Sequence, residues 1–277
     1  EEALPARLGR VHLLGAALEH DLRARGVASV RRPVQLGDRQ APRITFMHGF
    51  AQTGNSWKPI AEHFAEQGFL ATVVDLPGHG GSAHVRADLR RTADMLATVG
   101  GTGAFVGYSL GGRASLHLAL MYPHLVTSLV VIGANPGIDD AGERAERREA
   151  DDALAERMHD IGLEAFLQEW CNLPLFGGLQ LTPEQLADRL RNTPEGLAGS
   201  LRLAGTGAQG SLWPRLRELN MPVLAIAGAL DLKFAAIAQQ IADAAPEGAA
   251  ALVAGAAHAA HLQQPETVAV LIADAIA

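Results

Sequence analysis

The sequence predicts a mostly parallel, doubly wound α/β sheet with a helical cap insertion. From residue 44 onward, short apolar runs alternate with longer segments whose apolar residues recur at helical spacing. This alternation is typical of buried parallel strands joined by helical crossovers that cover both faces of a sheet. It stops over 136–210, where the chain is helical in pattern and rich in Arg and Glu. We therefore expect one domain that carries one insertion.

The elements of this sheet can be placed along the chain. Strands are expected at 44–47, 70–74, 104–106, 129–132, 223–227 and 250–253. Helices are expected at 57–67, 89–99, 111–122, 234–244 and 266–276. The core then comprises 41–135 and 211–277, and the cap comprises 136–210. An insertion between two strands of such a sheet lies over their C-terminal ends, where open α/β sheets bind ligands.

Residues 1–40 precede the clear strand and helix alternation. Apolar residues at helical spacing predict a helix over 5–26, and 27–36 has the character of a weak strand. We treat 1–40 as a leader whose role the sequence leaves open.

Composition excludes several classes of function. The 23 Lys and Arg against 30 Asp and Glu give a net charge of -7, which argues against nucleic acid as a partner. Cys171, the single cysteine, allows no internal disulfide and no cysteine zinc cluster. No apolar run has the length of about 18 residues that a membrane span needs. We expect a cytoplasmic enzyme without membrane insertion, metal or cofactor, whose oligomeric state is open.

Gly107-Tyr108-Ser109-Leu110-Gly111 lies between an apolar run and a helical segment. This strand, turn and helix context predicts the nucleophile elbow of the α/β-hydrolase fold, with Ser109 at its corner. Glycines on both sides allow the tight turn. A serine hydroxyl alone is a poor base or nucleophile, so a histidine and an acid must assist it.

The partners of Ser109 should follow it in the order acid, then histidine. Asp231 and His258 each come shortly after a predicted strand and are the preferred pair. His258 ends the turn 255–258, and its neighbour His261 is expected to pack beside the triad or to line the pocket. Asp231 is also expected to cap a helix. The rival acids on composition alone are Asp139, Asp140 and Asp243.

His48-Gly49-Phe50 follows the first clear strand, where this fold places its oxyanion loop. The backbone N–H groups of Phe50 and Leu110 are expected to point at one oxygen and to stabilise its negative charge. His48 is interpreted as a structural hydrogen-bonding residue. The turn over 75–82 is interpreted as part of the scaffold.

Arginines near the elbow and in the cap suggest an anionic substrate. Arg113 lies one helical turn after Ser109, beside the expected active site. Guanidinium groups bind carboxylates through two parallel hydrogen bonds, so converging arginines suit a polycarboxylate. The further candidates are Arg144, Arg147 and Arg191. The alternative is that the cap arginines form ion pairs with Glu143, Glu146 and Glu149 on a solvated helix face.

Four groups of residues carry a family resemblance. They are 107–113 (GYSLGGR), 135–137 (NPG) with 143–148 (ERAERR), Trp170 with 174–176 (PLF), and 205–209 (GTGAQ) with 211–213 (SLW). With these motifs the chain resembles the 2-succinyl-6-hydroxy-2,4-cyclohexadiene-1-carboxylate synthase family, called MenH, from about residue 44 to the C-terminus.

The resemblance implies a reaction and a set of binding residues. The reaction is elimination of pyruvate from a cyclohexene tricarboxylate in menaquinone biosynthesis, with Ser109 acting as a base assisted by His258 and Asp231. The residues implied to line the substrate site are Tyr108, Arg113, Arg147, Trp170 and Arg191.

Two alternatives stay open at this point. A serine hydrolase of esters, thioesters or carbon-carbon bonds could use the same scaffold. A binding protein that kept the fold without its chemistry is a third hypothesis, which the intact Ser109, Asp231 and His258 disfavour.

Overall fold

The structure is a computed structural model that describes residue 30 and residues 33–277. Its described strands form one sheet in the order β1-β3-β2-β4-β5-β6-β7. Their bounds are β1 Val34–Leu36, β2 Arg43–Met47, β3 Leu70–Val74, β4 Gly103–Tyr108, β5 Val126–Ile132, β6 Val223–Gly228 and β7 Gly248–Val253. Only β1 pairs antiparallel within this sheet, with β3, and the other neighbours are parallel.

Helices connect these strands and cover the sheet. Their bounds are α1 Lys58–Glu66, α2 Leu89–Gly100, α3 Leu110–Met121, α4 Ala141–Ile161, α5 Leu163–Cys171, α6 Pro183–Arg189, α7 Pro194–Ala204, α8 Leu232–Ala244, α9 Ala260–Gln263 and α10 Pro265–Ile276. One apolar cluster joins α2, α3 and α8 to the sheet, and a second joins α1 and α10 to it. The predicted fold class is therefore confirmed.

The central strands are mostly apolar because both faces of the sheet are covered there. All five residues of β3 are buried. Ala71 and Val73 belong to one apolar cluster, whereas Val74 belongs to the other. Since successive side chains of a strand point to opposite faces, β3 contributes to both halves of the core.

Helices α4 to α7 lie between β5 and β6 along the chain. They bring together a third apolar cluster, which includes Met158, Phe166 and Leu197, and Phe50 of the core packs against it. These helices fall within the predicted cap, 136–210. The division into leader, core and cap stays a prediction.

The predicted helix over 5–26 lies outside the described residues. Of the predicted weak strand over 27–36, the structure describes residue 30 and 33–36, and β1 occupies its last three residues. No helix in the described part of the chain is long and apolar enough to cross a membrane.

Candidate active site

Ser109 stands at a sharp corner between β4 and α3. Its φ is +49°, in the left-handed region that non-glycine residues rarely adopt. Its N–H donates to the carbonyl of Ile132 on β5 at 2.8 Å, which ties the corner to the sheet. A Cβ at Gly111 would lie 2.3 Å from the carbonyl oxygen of Met47, so α3 can approach β2 only with glycine here. The corner therefore presents the Ser109 hydroxyl at the C-terminal edge of the sheet.

His258 lies between Ser109 and Asp231. Its Nε2 is 3.4 Å from the hydroxyl oxygen of Ser109, and its Nδ1 is 2.9 Å from Oδ2 of Asp231. The carboxylate is an acceptor only, so it favours a proton on Nδ1 and leaves Nε2 free to accept from the hydroxyl. Oδ1 of Asp231 also accepts the N–H of Phe234 at 3.2 Å, so the same residue caps α8. The structure thus brings the three predicted triad residues together.

The rival acids lie apart from this arrangement. Asp140 caps α4 by accepting the N–H of Glu143, and Asp243 accepts from Gln239 on an exposed helix face. Asp139 lines a separate, shallow surface depression. None of these three residues is part of the cavity at Ser109.

His261 packs beside the triad. It is 1% exposed, and its ring centroid is 4.5 Å from that of Trp57 and 4.3 Å from that of Tyr108. Burial lowers the pKa of His261 well below its ordinary value, so the ring is neutral. The histidine that reaches Ser109 is therefore His258.

The loop after β2 leaves one amide unused. The N–H of Gly49 donates to the side-chain oxygen of Gln52 at 3.2 Å, and the N–H of Gln52 donates back to the carbonyl of Gly49 at 3.2 Å. The N–H of Ala51 donates to a histidine nitrogen. Among the hydrogen bonds of the described residues, none involves the N–H of Phe50 or of Leu110. These two amides are the predicted oxyanion donors, and that role stays a prediction.

Two buried histidines hold this loop in place. Nε2 of His48 accepts the N–H of Leu76 at 3.0 Å, and its Nδ1 is 2.8 Å from the carbonyl of Gly49. Nε2 of His79 accepts the N–H of Ala51 at 3.3 Å. Burial lowers the pKa of both rings, and that of His79 to about 3. Both side chains therefore act as neutral hydrogen-bonding groups, as was expected of His48.

A cavity of about 190 Å³ opens beside Ser109 between the core and the cap. Its walls are partly apolar, as is usual for small-molecule sites. Four cationic side chains line it, and none of the described residues in its lining is Asp or Glu. These cations are Arg113, Arg147, Arg189 and Lys233.

Arg113 is buried in the wall of this cavity. Its Nη1 donates to the carbonyl of Ala204 at 2.7 Å and to Oε1 of Gln209 at 3.2 Å. The amide of Gln209 in turn donates to the carbonyl of Pro136 at 2.8 Å. Burial, and then the charge of Arg147, lowers the pKa of Arg113 to about 10, so the guanidinium remains charged at neutral pH. Both acceptors are uncharged, and no carboxylate among the described residues forms a hydrogen bond with Arg113.

Arg147 lines the same cavity from α4. Its Nε lies 2.9 Å from Oδ1 of Asp151, one helical turn further along. The glutamates considered as alternative partners, Glu143, Glu146 and Glu149, form no described ion pair with it. Arg147 thus pairs with a buried carboxylate of its own helix and lines the cavity, while 41% of its side chain stays exposed.

Arg191, which we expected at the substrate site, lies elsewhere. Its Nη1 is 2.8 Å from Oδ1 of Asp188, and it borders a different surface depression. Arg189 lines the cavity instead, is 5% exposed and donates to the carbonyl of Ala51 at 3.1 Å. The sequence contained a usable signal, since Arg189 follows Leu186 by three residues and shares its inward helix face. Arg191 lies beyond the end of α6.

Tyr108 and Trp170 both line the cavity, as the family resemblance implies. Tyr108 is 2% exposed, and burial raises the pKa of its hydroxyl, so it stays protonated. The ring of Trp170 stands edge-on to Phe50 at 5.1 Å. Trp170 therefore joins the cap to the predicted oxyanion loop. No cluster of three or more potential metal ligands occurs among the described residues.

Comparison with known proteins gives consistent results. The family model for the alpha/beta hydrolase fold matches residues 42–265. The 2-succinyl-6-hydroxy-2,4-cyclohexadiene-1-carboxylate synthase of Salmonella paratyphi C (strain RKS4594) is 33% identical over 239 residues, covering 83% of this chain and 91% of that protein. A Bacillus subtilis (strain 168) protein that bears this name provisionally is 34% identical over 245 residues, covering 83% of this chain and 88% of that protein.

Two solved structures are similar to this chain over most of its length. MenH from S. aureus superposes with a TM-score of 0.80 at 28% identity and covers 88% of this chain and 97% of its own. A thermophilic esterase from Thermogutta terrifontis, solved with malate bound, has a TM-score of 0.76 at 23% identity and covers 87% of this chain and 91% of its own. At that identity the esterase shows a shared fold only.

Proposed function

The chain belongs to the 2-succinyl-6-hydroxy-2,4-cyclohexadiene-1-carboxylate synthase family of the α/β-hydrolase superfamily, and from this membership we propose its reaction. It is a carbon-oxygen lyase of menaquinone biosynthesis. It removes pyruvate from 2-succinyl-5-enolpyruvyl-6-hydroxy-3-cyclohexene-1-carboxylate and leaves the cyclohexadiene product that gives the family its name.

The observation that carries this proposal is the charge of the cavity. Its lining holds four cations, and no described carboxylate is part of it. The substrate has three carboxylates, and guanidinium groups match carboxylates in charge and in hydrogen-bond geometry. The substrate of a hydrolase of neutral esters would have no anionic group to pair with these four cations.

The triad supplies the base. The Ser109 hydroxyl takes a proton from a ring carbon as its own proton passes to Nε2 of His258, and Asp231 stabilises the imidazolium. The electron pair of the broken C–H bond becomes a ring double bond when the C–O bond to the enolpyruvyl group breaks. Negative charge that develops on the substrate is stabilised by the N–H groups of Phe50 and Leu110. The leaving group departs as the enolate of pyruvate and takes up the proton held by the imidazolium of His258, which gives pyruvate and restores the triad, and no acyl-enzyme forms.

Lys233 and the three cavity arginines each contact a different part of the substrate in this proposal. Arg113 and Arg147 approach from α3 and α4, and Arg189 from α6, whereas Lys233 extends from the first turn of α8 beside Asp231. A cation in the first turn of a helix opposes the helix dipole, so its position there costs a little stability. We propose that Lys233 occupies this position because its ammonium group contacts a substrate carboxylate.

We also propose that the enzyme works in the cytoplasm. This compartment is reducing, which suits a protein whose single cysteine cannot form an internal disulfide.

The decisive experiment is steady-state turnover of the enolpyruvyl tricarboxylate by purified protein. Ser109→Ala should lower kcat by about 10³-fold or more, because the base is removed. Arg189→Met should raise KM by about tenfold or more, and it should also lower kcat because Arg189 donates to the carbonyl of Ala51 in the loop that carries the Phe50 amide. The matched control is Arg191→Met, which removes an arginine two positions away that lies outside the cavity.

Two results would contradict the proposal. One is wild-type protein that produces no pyruvate from the tricarboxylate. The other is an acyl adduct on Ser109, detected by the mass of the intact protein after incubation with an activated ester and accompanied by rapid ester turnover. That second result would favour the hydrolase alternative, which the same triad geometry could serve.

A further inference from the structure

Asp151 is a buried carboxylate on an otherwise solvated helix. It is 1% exposed, whereas the acidic residues next to it on α4, Glu149 and Asp152, are exposed. Burying an ionised carboxylate costs on the order of several kcal/mol in lost hydration, and hydrogen-bonding or charged partners must offset that cost. A buried charge at this position therefore needs a reason.

The partners of Asp151 are a cavity arginine and a loop amide. Oδ1 lies 2.9 Å from Nε of Arg147, and Oδ2 accepts the N–H of Gly207 at 3.4 Å. The contact uses Nε of the guanidinium. No hydrogen bond to a described residue involves either terminal nitrogen of Arg147. Two donor groups of Arg147 thus stay available to a ligand in the cavity that it lines.

Arg147 does not stand alone in this wall. It lies close enough to Arg113 to lower the pKa of that residue, and Asp151 acts in the opposite direction. Two adjacent guanidinium groups repel each other when no ligand is bound. Asp151 supplies a negative charge next to Arg147 and is not itself among the residues that line the cavity.

Stabilisation of the fold is a weaker explanation for the Arg147–Asp151 ion pair than a role in the substrate site. A buried carboxylate with a partner of which 41% is exposed gains little net stability, and apolar side chains often replace such pairs without loss. Helix α4 already has its own cap at Asp140. We infer that Asp151 is a positioning residue for the substrate site, which fixes the guanidinium of Arg147 by its Nε so that the two terminal nitrogens face a substrate carboxylate.

This inference rests on the proposed function, and its test is a double-mutant cycle on the purified enzyme. Asp151→Asn keeps the size of the side chain and removes its charge. It should raise KM about tenfold and leave kcat within about twofold. The matched control is Asp152→Asn, which removes an exposed carboxylate that pairs with Arg202 at 3.4 Å and should leave both constants unchanged. The cycle is completed by Arg147→Met alone and in combination with Asp151→Asn.

The cycle separates positioning from general support of the fold. If Asp151 acts through Arg147, adding Asp151→Asn to Arg147→Met should change KM by less than about twofold. A tenfold effect that persists without Arg147 would overturn the inference, and so would Asp151→Asn behaving like Asp152→Asn. Should Asp151→Asn fold poorly, Asp151→Glu takes its place, because it keeps the charge and displaces it by one methylene. Glutamate should still raise KM, and an unchanged KM would overturn the inference.

A binding measurement keeps the two proposals apart. Citrate serves as a tricarboxylate probe in calorimetric titrations of the wild type and the variants, because binding requires no turnover. Wild-type protein that does not release pyruvate, but binds citrate about tenfold more tightly than Asp151→Asn, would remove the proposed reaction and support the role of Asp151. Normal turnover with equal citrate affinity in both proteins would support the reaction and remove the role of Asp151.

Discussion

Asp231 combines two tasks in one side chain. Oδ2 holds Nδ1 of His258, and Oδ1 caps α8 through the N–H of Phe234. Asparagine is as good a helix cap as aspartate, but its side chain carries no charge. A substitution at this position can therefore separate the chemistry from the folding of the helix.

We expect Asp231→Asn to lower kcat by about 10²- to 10⁴-fold while the melting temperature changes by only a few degrees. Without the carboxylate, His258 loses the group that selects its tautomer and stabilises its protonated form. Steady-state kinetics and thermal unfolding measure the two effects. Asp140→Asn, a helix cap remote from the triad, is the control and should preserve kcat. A large loss of stability with unchanged kcat would assign Asp231 to the helix alone.

At the scale of an element, the loop after β2 is held by one residue of the turn over 75–82 and one residue of α6. Ala51 has a φ of +59°, which is strained for a residue with a Cβ. The bond from its N–H to His79 and the bond from Arg189 to its carbonyl both hold it there. The direction of the Phe50 amide is therefore set from outside the loop.

Replacing His79 with leucine should disturb this loop more than it disturbs the fold. Leucine fills similar space but accepts no hydrogen bond, so the strained turn at Ala51 can relax and displace the amide of Phe50. We expect His79→Leu to lower kcat by about 10- to 100-fold, since one oxyanion donor is worth 10²- to 10³-fold when lost completely. KM should change less. An unchanged kcat in a stably folded His79→Leu protein would show that the Phe50 amide does not act in the reaction.

The elements themselves could be predicted from sequence to within a few residues. The strand expected at 70–74 has these bounds in the structure because its residues are apolar or β-branched and covered on both faces. Strand β7 begins two residues before its predicted start. Gly248 and Ala249 rarely favour strands, and pairing with β6 extends the strand through them.

The substrate arginines were harder to predict than the triad. Triad residues follow strands, so a strand prediction locates them. Arg189 is the last residue of α6 and Arg191 lies two positions beyond it, so which of the two faces the cavity depends on where that helix ends. Asp151 could not be distinguished from its exposed neighbours either, because its burial depends on a loop more than fifty residues away along the chain.

At the scale of the whole molecule, several histidines are buried without charge. Burial lowers the pKa of His48, His79 and His261, and that of His79 reaches about 3. In the unfolded chain these rings would titrate near 6.5, roughly. The unfolded state therefore binds more protons than the folded state below that pH, and acid favours unfolding.

We accordingly expect stability to be full above about pH 6.5 and to fall as the pH is lowered from there toward 3. Each such histidine contributes a slope of up to about 1.4 kcal/mol per pH unit in that window. Urea unfolding at about pH 7.5, 6.5 and 5.5 gives the free energy of unfolding at each pH, and hence this slope. His261→Phe should make the dependence less steep, whereas His84→Gln, at an exposed position, should not. Equal slopes in all three proteins would contradict this account.

The positive cavity lies inside a protein with a net charge of -7. At cellular ionic strength, charges are screened beyond about 8 Å, so the four cations can attract an anion only once it has reached the mouth of the cleft. With this net charge, the protein as a whole does not attract negatively charged metabolites over long distances. Encounter is thus left to ordinary diffusion, and discrimination among the many anions of a cell takes place after entry, through the number and spacing of carboxylates that each one presents.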